Sequence, residues 1–142
     1  MKLASACFGG GRHRAGQTIA EFALAATALV LLIFGLIDMA LLVYNYNTVC
    51  SAAREAVRYA IVHSPTGPNP ATTAQIQQVA INYAPELNLA PSNITVSWPA
   101  DSNLPSQDDA KVAISYNYKL SIPFLSARTL TLTSTSQMLV SQ

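Results

Sequence analysis

The chain has 142 residues, which leaves room for one small domain beside a membrane segment but not for two soluble domains. Its hydrophobic fraction is 51% and its charged fraction 11%, whereas soluble domains carry about 25% charged residues. The net charge of +1 is unevenly divided: Lys2, Arg12 and Arg14 give the start three positive charges, and the remainder sums to −2. No basic patch supports a nucleic-acid partner.

The first element is a long apolar run. Residues 18–43 contain only Glu21 and Asp38 as charged side chains. As a helix this run is about 39 Å long, more than a hydrocarbon core of about 30 Å. Tyr44 and Tyr46 follow where an aromatic belt is expected, so the sequence predicts a transmembrane helix over residues 17–46. The Lys/Arg excess before it predicts a cytoplasmic N-terminus and an external remainder. A cleavable secretory signal would have a shorter apolar core, of about 7–15 residues. Ala4-Ser5-Ala6-Cys7 mimics a lipoprotein site but has no apolar core before it. Cys7 and Cys50 flank the run, so neither a disulfide framework nor a zinc site is available on count. Cys50 reads as a small buried residue near the membrane surface, with a cross-link between subunits as the alternative.

At the start of the run stands Gly16-Gln17-Thr18-Ile19-Ala20-Glu21-Phe22. An ionised group at the centre of a membrane helix costs about 2.5–3.5 kcal/mol on insertion scales, so an acid inside such a segment is usually functional or paired. No cation in the first half of the helix neutralises Glu21. A second block comprises Phe34-Gly35-Leu36-Ile37-Asp38 and Ala52-Ala53-Arg54-Glu55-Ala56-Val57-Arg58-Tyr59-Ala60. Asp38 lies about 26 Å beyond Glu21 along a helix, near the outer interface.

Together these residues resemble the TadE-like minor pilins, pseudopilins of the tight-adherence (Flp-type) pilus system. The resemblance covers residues 16–62 and, in architecture only, the rest. It implies that residues 1–16 are a basic leader removed by a prepilin peptidase between Gly16 and Gln17. It also implies that Glu21, fifth after the cut, sets axial register against the new Gln17 amine of a neighbouring subunit, with Phe22 beside it. Family members often carry an arginine shortly after the aspartate. Here Met39-Ala40-Leu41-Leu42 follows, so a charge pair at that place is not implied.

Beyond the membrane the helix continues to residue 62, with Val49, Ala53, Ala56, Val57, Ala60 and Ile61 on one apolar stripe. That stripe packs either on its own domain or on neighbouring subunits. Asp38, Arg54, Glu55 and Arg58 are candidate packing or interface residues, and Glu55 pairs with Arg58 at a spacing of three. Pro65, Pro68 and Pro70 end the helix. A second helix is predicted over 73–84, capped by Thr72 or Thr73, with Ile76, Val79, Ala80 and Tyr83 inward and Pro85 as its stop. Strands are predicted over 93–98, 111–122 and 129–139, with Leu130 and Leu132 inward on the last. A polar loop is expected over 100–109.

The predicted class is therefore α+β and pilin-like: a long N-terminal helix, half transmembrane and half external, a second short helix, and a small antiparallel sheet of about three strands. Residues 47–142 form the external domain. No catalytic residues, metal site or cofactor are predicted, and no small-molecule substrate. His13 and His63 stand apart, and Asp101, Asp108 and Asp109 fit no calcium loop. The implied role is a structural or assembly component, not an enzyme, in the bacterial inner membrane or a pilus. Its partners would be the peptidase, other pilin subunits and the assembly machinery. The alternative is a permanently anchored single-span envelope protein whose external domain binds a partner.

Overall fold

The structure is a computed structural model and describes residues 12–65, 67–99, 109–120 and 126–140. Helix α1 (Arg12–Val62) is 51 residues without a break, about 76 Å long. It is followed by α2 (Thr73–Tyr83), two short 3₁₀ turns (Pro85–Leu87 and Pro91–Asn93), β1 (Ile94–Ser97), β2 (Asp109–Leu120) and β3 (Arg128–Leu139). The three strands form one antiparallel sheet in the order β1-β2-β3. This is the α+β architecture expected from the pattern. Most of the polar loop at 100–109, with Asp101 and Asp108, lies outside the described residues, as does most of the basic leader.

Local chemistry sets the boundaries. At the end of α1, His63 N–H still bonds to Tyr59 O, and Ala71 N–H closes back onto His63 O at 2.9 Å across the proline-rich turn. Thr72 is the cap of α2. Its Oγ1 accepts from Gln75 N–H at 3.3 Å, and Gln75 Oε1 accepts from Thr72 N–H at 2.8 Å, a reciprocal capping box. Replacing Thr72 by alanine is expected to cost about 1 kcal/mol, readable as a lowered urea midpoint of the full chain in detergent. Asn88 takes a left-handed conformation (φ 44°), which asparagine tolerates better than most residues. On either side of it Leu87 and Leu89 are both buried.

The core lies between the upper half of α1, α2 and the inner face of the sheet. Val49, Ala52, Ala53, Ala56, Val57 and Ala60 of α1 are fully buried, with Ile76 and Ala80 of α2 and Ala110, Val112 and Ile114 of β2. Four of the six α1 residues are alanine, so the helix offers little bulk and both α2 and the sheet approach it closely. Of the apolar stripe, Val49, Ala53, Ala56, Val57 and Ala60 thus pack on their own domain, while Ile61 at its upper end is half-buried.

Two inward assignments need correction. Leu130 is 44% exposed and Leu132 half-buried. The alternation put both on the correct face, because they pair with Tyr118 and Tyr116 of β2. Yet β3 is an edge strand, and its lower end extends past the cover that the helices provide. Tyr83 is 56% exposed, because α2 lays only Ile76 and Ala80 fully onto the core before it ends.

Candidate functional site

Below Asp38 the helix α1 is largely uncovered by the described residues. From Gly16 to Ile37 nearly every residue is exposed, including Phe22 at 75% and apolar side chains on every side of the helix. The most apolar stretch is long enough to cross a membrane and none of it is buried within the chain. An all-round apolar helix that packs on nothing in its own domain requires apolar surroundings.

Gly16 lies inside α1, where a side-chain carbon added to it would meet only open space. Glycine within a helix costs about 1 kcal/mol relative to alanine, so packing gives no reason for it here. One turn on, Gln17 Nε2 donates to Glu21 Oε1 at 3.1 Å. Glu21 therefore has a partner within its own helix, a neutral amide four residues back, which charge counting alone missed. The contact is exposed. Above it, exposed Ala23, Ala25 and Ala28 give the helix narrow surfaces for close helix–helix approach.

Asp38 stands where the sheet first meets the helix. Tyr118 of β2 is buried and its hydroxyl lies 3.4 Å from the Asp38 carbonyl oxygen, to which it donates a long hydrogen bond. Asp38 Oδ2 is covered and has no hydrogen-bond partner. Burial, followed by the Asp38 charge, raises the Tyr118 phenol above its ordinary value, so the hydroxyl stays protonated as the donor. Higher up, Tyr44 donates to Glu86 Oε2 at 2.8 Å. Tyr44 thus engages the domain through its hydroxyl. Neither contact was legible in the sequence, since their partners lie 80 and 42 residues apart.

The remaining candidates sit on the outer side of α1. Arg58 and Glu55 pair at 3.3 Å, as their spacing predicts. With Arg58 65% exposed, the pair contributes a few tenths of a kcal/mol at most. Arg54 is exposed and, with Tyr46 and the half-buried free thiol of Cys50, lines an open cleft against Ser134 and Ser136 of β3. The structure therefore separates the candidates into three places. Gly16, Gln17, Glu21 and Phe22 are at the foot of α1, Asp38 is at the junction, and the rest are on the upper part of α1, with Arg54 toward β3 and Glu55 and Arg58 toward Val79 and Tyr83 of α2. His63 stacks on Tyr59 with ring centroids 4.3 Å apart, a structural contact. Among the described residues no group of His, Cys, Asp and Glu is placed to hold a metal ion.

No curated protein and no solved structure matches the chain. One family model does, that of the TadE-like proteins, a family associated with the tight-adherence pilus, over residues 16–58. The resemblance read from the two sequence blocks holds over that stretch: residues 16–58 are a TadE-like segment.

Proposed function

We propose that this chain is a minor pilin or pseudopilin of a tight-adherence pilus, made as a precursor and cut after Gly16 by a prepilin peptidase. The observation that carries the reading is where the TadE-like match begins, at residue 16 and not at the basic start of the chain. Two features of the helix support it. Gly16 has no packing role, which suits a residue kept for recognition by a protease. The apolar lower half of α1 has no cover within the chain, which suits a helix that exchanges lipid for neighbouring pilin helices.

In this reading the N-terminus faces the cytoplasm and residues beyond the helix lie outside the inner membrane. Cutting between Gly16 and Gln17 creates a positive amine one turn from Glu21. The Gln17 side chain that now bonds Glu21 is neutral, so it leaves the full charge for the amine of the next subunit to meet. The role is structural or assembly-related, and no step of catalysis is assigned to any side chain. The contacts of Tyr118 and Tyr44 further argue that the hydrocarbon ends below Asp38, lower than Tyr46.

The test is the intact mass and N-terminal sequence of the membrane-extracted chain, produced with and without a prepilin peptidase. A peptidase-dependent start at Gln17 is expected. A start at Met1 in both samples would reject processing and favour the permanently anchored envelope protein.

A further inference from the structure

The direction of β2 has a consequence for where the sheet stands relative to the bilayer. Tyr118 meets α1 at Asp38, while Ser134, the partner of Ile114, faces Tyr46, Cys50 and Arg54. β2 therefore runs back along α1 toward its N-terminal half. The last pair of the β2–β3 ladder, Leu120 with Arg128, lies two residues past the Tyr118–Leu130 pair, a further drop of about 7 Å. On α1 that drop corresponds to four or five residues, about the level of Ile33. From Thr18 to Ile33 the helix measures only about 24 Å, less than the hydrocarbon core of about 30 Å that it must cross. Tilting the helix shortens the span further. The end of the sheet then stands within reach of the headgroup layer.

The charges at that end fit such a position. Lys119 and Arg128 are both exposed, and neither is in an ion pair among the described residues. The described acids nearest them in height pair with neither cation. Asp38 is covered against Tyr118, and Glu86 accepts from Tyr44. Above Arg128 on the same face Leu130 is 44% exposed. Lys119 lies on the outer face, whereas Arg128 lies on the helix-side face with Leu120 and Leu130, so the foot of the sheet carries a cation on each side, the charge that meets lipid phosphates. We propose that the lower end of the β2–β3 ladder, with Lys119 and Arg128, is a docking surface for the anionic phospholipid headgroups of the leaflet into which α1 emerges. The proposal rests on the reading of α1 as a membrane span.

The experiment places a fluorophore on single cysteines in full-length protein whose own Cys7 and Cys50 are serine. Three sites are used: Thr129→Cys at the foot of β3, Thr135→Cys about 20 Å higher on the same outer face, and Leu29→Cys within the apolar helix. The protein is reconstituted in vesicles of phosphatidylglycerol and phosphatidylethanolamine carrying a headgroup spin-labelled quencher, or a chain-labelled quencher for Leu29. The label at Thr129 is expected to be quenched several-fold more than the label at Thr135. K119E together with R128E should remove most of that difference, as should vesicles of phosphatidylcholine alone.

Equal, weak quenching at Thr129 and Thr135 with strong quenching at Leu29 would overturn the docking surface and leave the membrane span intact. Absence of quenching at Leu29 would instead remove the span, and the docking surface with it. Strong quenching at Thr129 that persists in phosphatidylcholine and in the charge-reversed variant would overturn the role of anionic lipid.

Discussion

Truncating Ile114 to alanine is expected to destabilise the α+β domain by about 2–5 kcal/mol, a large share of the stability of a small domain. Ile114 is 1% exposed in the middle of β2, paired with Ile94 on one side and Ser134 on the other. The surface facing it across the core is the alanine stripe of α1. Alanines on a rigid helix have no side chain that can swing into a void, so the cavity persists and its full cost is paid. The measurement is urea unfolding of the detergent-solubilised chain, followed by the fluorescence of Trp98, the only tryptophan, which packs against the core. The midpoint should fall while the slope stays unchanged. Thr133→Ala, on the exposed outer face of β3, should move the midpoint little. A small effect at Ile114 would show that α1 and the sheet close up more readily than their packing implies.

The second large effect concerns Glu21. If the chain is cut after Gly16 and enters filaments as proposed, Glu21→Ala is expected to leave that cut nearly intact and to reduce incorporation by about tenfold or more, the factor that each lost 1.4 kcal/mol of contact produces. Two alternatives are separable because Gln17 already bonds Glu21. Glu21→Gln keeps a side chain able to bond Gln17 but removes the charge. If charge pairing with a neighbouring amine sets register, the glutamine variant should fail like alanine. If the local Gln17 contact is what matters, it should assemble normally. The assay is the amount of processed subunit in sheared filaments relative to membranes. Wild-type levels for Glu21→Ala would eliminate the register role.

A third, smaller effect tests the junction. Tyr118→Phe removes the hydroxyl above Asp38 and keeps the ring, so a loss of about 0.5–1.5 kcal/mol or less is expected, the bond being long. Hydrogen exchange of the backbone near Asp38 should quicken by more than exchange near Ala56 if the bond secures the lower part of the sheet.

What was legible in the sequence depended on the range of the signal. Helix α1 could be read because apolar residues, prolines and charges are ordered along a single stretch. Helix α2 could be read to within a residue because Thr72 and Gln75 form a local cap. The strands followed from alternation, and the face of Leu130 and Leu132 was correct, but their burial was not. Burial depends on where the helices stop covering the sheet, which is a tertiary fact. The same holds at the site. The motif from Gly16 to Phe22 is contiguous and could be recognised, whereas the bond from Tyr118 to Asp38 joins distant elements and left no local trace. The Gln17 contact with Glu21 was within reach of sequence reasoning, since an i,i+4 amide–carboxylate pair is an ordinary helical contact. It was missed by looking only for a cation.

The unbroken course of α1 from Arg12 to Val62 also has a mechanical meaning. No proline interrupts it, and the domain clamps its upper part from Asp38 to Ala60. The molecule is thus a rigid lever. A pull or twist applied to the apolar foot is delivered to the sheet without a hinge to absorb it. Over about 76 Å a tilt of about 10° carries the far end through about 13 Å. Small motions at the foot of the helix would be magnified at the outer end, and a load placed on the sheet would be felt at Glu21.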